Sequence, residues 1–431
     1  MDIKLLLDGV DCSCGRRHEC NIEAVYVECG AITARLSGLC PEERILIVAD
    51  GNTYSAAGEL CESALTGKSL SRVIFDGGCI LIPDERAIER VRSELSDCEL
   101  ILGVGSGVIQ DLCKYVSHLS GIPYVIVATA PSMDGYASTG AAMILGGMKE
   151  TVAAGLPRAI IADVDILRNA PIDMIKAGYG DIIGKYSALA DWRLSAIVNG
   201  EYFCEYIARE TARIADLVAP LGERLLARDA EAVCILTEAL VAVGIMMSFA
   251  GSSRPASGSE HHLSHFFEIV GILRGEKYLP HGIDVAYSTV LTSELRESLL
   301  LRGFEGGVFH DAERYKSKMK QIYGKLADSC IALQERSGLY AVNRLPLYRE
   351  REAEIRALFS SLPSGAEIRR LLSSAGLDVA ELYRTYGERK IGEAKAYAKD
   401  LKDRYTVLCM SYDLLGDGMD QDKSEQSLAK M

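Results

Sequence analysis

The chain has 431 residues and a formal charge of −13, from 47 Lys and Arg against 60 Asp and Glu. That length suggests two or three domains and buries enough apolar surface to fold without disulfides, and 48% hydrophobic with 25% charged residues is an ordinary globular composition. The acidic balance argues against a nucleic-acid partner, whose phosphates are met by Lys and Arg, but leaves room for one small phosphate at a helix end.

Met1-Asp2-Ile3-Lys4 leads into only a short apolar stretch, Leu5 to Leu7, which is not a signal peptide. The longest apolar run, Ala239 to Met247 extended to Ala250, falls short of the roughly 20 residues that cross a bilayer. No membrane span is therefore expected. Thirteen cysteines without a secretion signal read as reduced thiols, so the expected compartment is the cytoplasm. Near the start, Cys12, Cys14, His18 and Cys20 form a tight group. It has the donor types of a structural zinc site but lacks a partner pair at standard spacing, so it reads as further reduced thiols.

Up to about residue 170, short β-rich runs alternate with helical patterns. Ile45 to Ala49 is a strand ending at Asp50-Gly51-Asn52, and a helix carrying Ala56, Ala57, Leu60 and Leu65 follows. Arg72 to Phe75 is the next strand, and Pro83-Asp84-Glu85 opens a helix with Ile88, Val91 and Leu95 on it. Glu99 to Val104, Pro123 to Ala128 and Ala159 to Asp163 are further strands. Continuous apolar runs separated by helices indicate a parallel sheet covered on both faces.

Beyond Asn169 helical patterns take over, at Glu210–Val218, Ala230–Phe249, Tyr315–Glu335 and Glu367–Tyr386. The boundary is placed at Arg168-Asn169-Ala170-Pro171, where proline resets the chain. The expected organisation is an α/β domain over 1–169, an all-helical domain over 170–415, and a polar, Asp-rich tail over 416–431 that reads as disordered.

The strand ending at Val104 runs into Gly103-Val104-Gly105-Ser106-Gly107, and a helix follows through Val108, Ile109, Gln110 and Asp111. Glycines permit a tight turn and close approach to a ligand, and the helix start favours a diphosphate. The spacing is G-x-G-x-G rather than the ordinary dinucleotide G-x-G-x-x-G, so a plain strand-to-helix turn remains open. Asp50 at a strand end suits either a ribose hydroxyl or a helix N-cap. The loop from Thr129 through Ala130, Pro131, Ser132 and Asp134 to Ser138 sits where ligands bind in open α/β sheets, and suits a nicotinamide and a polyol or an ordinary turn.

Four of the seven histidines, His261, His262, His265 and His281, fall in one stretch. His261 and His265 stand one helical turn apart on a shared face. Neutral imidazoles at that spacing suit a divalent ion such as zinc, and His281, at the start of a following helix, can complete the pair with either. Asp181, in Gly178-Tyr179-Gly180-Asp181, is an available carboxylate ligand or a helix cap.

In order, G-V-G-S-G at 103–107, T-A-P-S-M-D-G at 129–135, G-Y-G-D at 178–181, S-R-P-A-S-G-S-E-H-H-L-S-H at 253–265 and H-G at 281–282 resemble the glycerol-1-phosphate dehydrogenase family, most closely its bacterial AraM-like branch. That family lies in the superfamily of iron-type alcohol dehydrogenases, glycerol dehydrogenase and dehydroquinate synthase. The resemblance implies a Rossmann-like N-terminal domain plus an all-α C-terminal domain. It implies Asp181, His261 and His281 as metal ligands, and Asp134, Asp181 and His265 as substrate-binding and catalytic residues. Asp50, Gly105, Gly107 to Asp111, Thr129 to Ser132 and Ser138 are implied as NAD or NADP contacts. The implied reaction is reversible reduction of dihydroxyacetone phosphate to sn-glycerol 1-phosphate, with zinc, nickel or iron as the ion and a homodimer as the assembly. Arg254 and Lys185 are the nearest basic candidates for the substrate phosphate. The rival readings are a glycerol dehydrogenase or other small-polyol dehydrogenase, a dehydroquinate-synthase-like lyase, and a non-catalytic NAD-binding regulator. The lyase family carries a Glu within a lysine-rich stretch, where this chain has Asp181-Ile182-Ile183-Gly184.

Overall fold

The computed structural model describes residues 2–79, 81–146, 148–308 and 311–417. From 418 onward, the tail expected to be disordered lies outside the described residues. The chain divides into two compact units: 1–182 with 209–253, and 183–208 with 254–431. A boundary at 169/170 thus differs from the observed division in two ways. The helix Ile172–Ile183 falls almost wholly in the first unit, and the chain returns to that unit for 209–253.

After a short helix, Ile3–Leu7, the first unit forms a two-stranded hairpin, β1 (Val10–Asp11) and β2 (Arg17–His18). Its main sheet uses β3 (Ala24–Glu28), β4 (Arg44–Asp50), β5 (Ser69–Phe75), β6 (Leu100–Gly105) and β7 (Tyr124–Ala128). A second hairpin, β8 (Gly140–Leu145) and β9 (Met148–Ala153), precedes the last sheet strand, β10 (Ala159–Asp163). The six strands lie in the order β3-β10-β7-β6-β4-β5, with every neighbouring pair parallel. Every residue of β6, β7 and β10 is buried, which is why these strands read as unbroken apolar runs. One face packs Ile45, Ile47, Leu102 and Val104 against the helix Ala31–Leu39 and the segment around Cys61. The other packs Leu46, Val48 and Ile101 against Ile109, Leu112 and Val116 of the helix Gly107–Ser120.

From β4 the chain moves outward to β5, whereas from β6 it moves the other way to β7. The gap between the carboxyl ends of β4 and β6 is therefore the topological switch point, where open α/β sheets bind ligands. The same unit contains the helix Ala230–Ala250, which is long and apolar enough to cross a bilayer by length and composition. It extends beyond the apolar run read from the sequence, and 78% of its most apolar window is buried inside the protein, as in a core helix.

The second unit is helical. The helices Lys185–Asn199, Ser259–Arg274, His281–Arg302 and Val407–Leu415 are among its elements. One of its cores gathers Leu194, Val198, Leu299, Tyr348, Ile355 and Met410. An α/β unit followed by a helical one is the architecture expected from the sequence.

Candidate functional site

At the switch point, the register pairs Val48 with Gly103 and Gly105 with Ala128, so Asp50, Gly105 and Ala128 end neighbouring strands. A side chain on Gly105 would meet Cβ of Ile109 at 2.5 Å, so glycine is what lets the helix seat against the strand end. Ser106 precedes that helix without capping it through its side chain. A helix start without a side-chain cap is the setting in which backbone amides can meet an anion. Thr129 N–H donates to the Gly105 carbonyl at 3.1 Å, tying the two loops side by side. Asp50 acts as the N-cap: its Oδ1 accepts from the amides of Asn52 (2.8 Å) and Thr53 (2.9 Å). Gln110 is buried, and its amide donates to the Tyr136 carbonyl (3.1 Å) and the Tyr124 hydroxyl (3.3 Å), so its side chain braces the fold.

Sequence reasoning missed Lys114. It lies fully buried beneath the 129–140 loop and donates to the carbonyls of Gly135 and Gly140, both at 2.9 Å, and to Ser138 Oγ at 3.3 Å. Burial pulls its ammonium below the usual lysine range, against the pull of Asp111 at 3.5 Å. Nothing in a sequence marks one lysine among many as buried, although the Asp111/Lys114 spacing of three on a helix is a faint signal. Above it, Gly178 lies against the loop so closely that a side chain there would run into the Pro131 carbonyl oxygen. This approach brings the Asp134 amide to 3.1 Å from Asp181 Oδ2. Asp134 and Asp181, both buried, are thus neighbours in the first unit.

In the second unit the helix Ser259–Arg274 and the start of His281–Arg302 converge three imidazoles. Ring centroids are 5.1 Å apart for His261–His281, 5.4 Å for His265–His281 and 6.3 Å for His261–His265. Glu260 Oε1 lies 2.8 Å from His261 Nδ1 and also accepts from the Gly258 amide at 2.7 Å. Burial, the largest influence, would raise this carboxyl, but the hydrogen bond and charge of His261 together with the amides of Gly258 and Glu260 hold it below the usual carboxylate range. Ser264 Oγ lies 3.0 Å from His281 Nδ1 and 3.3 Å from the His281 carbonyl oxygen. If the hydroxyl donates to that carbonyl, its lone pair is left for Nδ1–H. Each of these two histidines then has its Nδ1 held by an outer partner, as metal-ligating histidines do. His262 differs: it is fully buried, neither ring nitrogen has a hydrogen-bond partner, and burial keeps it neutral by pulling it well below the usual range.

The segment before these histidines is fixed by buried charges. Arg254 pairs with Glu201 and donates to the Tyr405 carbonyl at 3.0 Å, while Lys185 Nζ donates to the Ala256 carbonyl at 3.1 Å. Both phosphate candidates therefore work on the scaffold. Arg404, absent from the sequence reading, donates to the Ser257 carbonyl at 3.1 Å, and burial lowers it to about 10. Asp191 accepts from the Ser259 amide at 2.6 Å, orienting the helix start.

The family model for iron-containing alcohol dehydrogenase matches residues 28–171. A curated glycerol-1-phosphate dehydrogenase [NAD(P)+] of Halalkalibacterium halodurans is 31% identical over 407 residues, spanning 92% of this chain and 94% of the relative. The chain belongs to the glycerol-1-phosphate dehydrogenase family. A family member from Pyrococcus furiosus is 35% identical over 238 residues, covering 54% of this chain and 68% of the relative. Among solved structures, the sulfoacetaldehyde reductase of Bifidobacterium kashiwanohense in complex with NAD+ superposes with a TM-score of 0.60 at 14% identity. That match covers 95% of this chain and 97% of the other. A probable glycerol dehydrogenase from Sinorhizobium meliloti gives 0.53 at 19% identity, covering 84% and 98%. These two likenesses establish the fold of the glycerol-1-phosphate dehydrogenase family member described here.

Proposed function

We propose that the chain catalyses reversible NAD(P)H-linked reduction of dihydroxyacetone phosphate to sn-glycerol 1-phosphate, using a divalent ion that His261 and His281 would hold, with Asp181 the carboxylate ligand that the family resemblance implies. The observation that carries this reading is the converging histidines, whose ring centroids lie 5.1 Å apart and whose Nδ1 atoms face Glu260 and Ser264. Two imidazoles and one carboxylate fit zinc, nickel or iron and leave coordination positions open. When bound, the ion supplies positive charge against the oxygen that becomes the alkoxide, and the nicotinamide supplies the hydride.

The chain's own residues orient and protonate. Asp134 and Asp181 hold the substrate hydroxyls, and His265, half-buried beside His261 and His281, delivers the proton to the carbonyl oxygen of the substrate. The helix start at Gly107 and the loop Thr129–Ser132 hold the dinucleotide, with Val108, Ile109 and Asp111 on that helix. Asp50 reaches the ribose through the carboxylate oxygen not used in capping, and Ser138 shapes the loop from its bonds to Lys114 and Gly135. The first unit is read as the dinucleotide-binding part and the second as supplying the histidines. A homodimer in the cytoplasm completes the reading.

The test is NADH or NADPH loss after loading with zinc, nickel or iron separately. Turnover of dihydroxyacetone phosphate in strong preference to dihydroxyacetone is expected with at least one metal. Folded protein that turns over neither substrate with any metal contradicts the proposal, and preference for the unphosphorylated ketone moves the reading to a glycerol dehydrogenase.

A further inference from the structure

The cysteine-rich start of the chain is outside the chemistry above, and its geometry differs from a set of idle thiols. Between β1 and β2 the turn is closed by Cys12 N–H to the Arg16 carbonyl (3.1 Å) and Gly15 N–H to the Cys12 carbonyl (3.0 Å), with Gly15 at φ +85°. Such a φ suits glycine. The turn directs the Cys14 amide at Cys12 Sγ (3.5 Å) and brings Cys14 Sγ to 3.5 Å from His18 Nε2. The donor atoms of Cys12, Cys14 and His18 all lie within 4.8 Å of one another. With Zn–S near 2.3 Å and Zn–N near 2.0–2.1 Å, a tetrahedral ion sets sulfur and nitrogen about 3.6 Å apart, which is the Cys14–His18 spacing.

The far side of His18 is arranged as well. The ring is 1% exposed and stacks on Phe249 at 5.4 Å, and Nδ1 lies 3.1 Å from the Phe249 carbonyl oxygen. That carbonyl belongs to the last turn of the helix Ala230–Ala250, where carbonyls lack intrahelical partners. Nδ1–H donating to it leaves the Nε2 lone pair directed at Cys14, the outer-partner arrangement of a metal-ligating histidine. Cys20, which the sequence grouped with these residues, is set apart: it is buried, bonded to Ser248, and pushed up to about 12 by burial.

We propose that Cys12, Cys14 and His18 hold a structural zinc ion that ties the N-terminal hairpin to the end of the helix Ala230–Ala250. Binding releases two protons as the two thiols become thiolates, so the thiolate charges balance the ion. A further thiolate of the chain or a water closes the fourth position. This ion is distinct by donor set from one on histidines and a carboxylate.

Cobalt substitution of the purified full-length protein tests the proposal, because thiolate ligands give a near-ultraviolet sulfur-to-cobalt charge-transfer band that a His/His/Asp site does not. The expected result is one equivalent of cobalt with that band, displaced by one equivalent of zinc. The band should persist in Cys20→Ser and be lost in the Cys12→Ser/Cys14→Ser double variant. Reduced wild-type protein without the band overturns the proposal, whatever the variants do. So does a titration two thiols short because Cys12 and Cys14 are joined as a disulfide, or a band that survives in the double variant.

Discussion

At the scale of single residues, the proposed metal chemistry rests on groups that would not touch the ion. Glu260 accepts from both the His261 ring and the Gly258 amide, so it fixes the orientation of that imidazole. Glu260→Gln keeps the shape and removes the charge. It should weaken divalent-ion affinity by roughly 10- to 100-fold, the usual cost of losing such an outer partner, as read by competition with a chelator of known affinity. Unchanged affinity would mean that Glu260 serves only the fold. The histidine cluster itself was legible in the sequence, because four of seven histidines crowd into one stretch. Their partners were not: Glu260 and Ser264 are ordinary residues until the ring orientations are known. Likewise Lys114 goes unread, and Lys185 and Arg254 read as phosphate candidates, until burial shows each serving backbone carbonyls. Asp50 was read two ways, and the capping bonds are present in the structure.

At the scale of elements, four of the five strands read from the sequence, β4, β6, β7 and β10, are buried runs that need no partner to be recognised, while the edge strand β5 reads only from Arg72 to Phe75. The strand β3 escaped because it is the sheet edge and all five of its residues are half-buried, which erases both the run and the alternation. The hairpins β1–β2 and β8–β9 pair only locally, and their residues carry no period that distinguishes them from loop. The contact between the helix Ile172–Ile183 and the loop after β7 is another feature no periodicity reports. Gly178→Ala would gain helix propensity but place a methyl on the Pro131 carbonyl. The steric term should win, lowering stability by about 1–3 kcal/mol in denaturant unfolding and shifting the loop that holds Asp134. A variant as stable as the parent, with unchanged cofactor affinity, would show that the loop is not held there.

At the scale of the whole molecule, a helical pattern says that a helix exists and not which body it joins. The segment 209–253 therefore reads as part of the helical half, whereas it groups with the sheet. The family relationship, by contrast, rested on short ordered motifs that survive such errors, and a relative matched over 94% of its length agrees with it. On the proposed function, the converged histidines hold the ion on which turnover depends. The direct test is His281→Ala, measured for bound metal, turnover of dihydroxyacetone phosphate and NADH affinity in one preparation. The expected result is the loss of one metal equivalent and of turnover, with NADH binding intact. Full metal content with turnover preserved would contradict it.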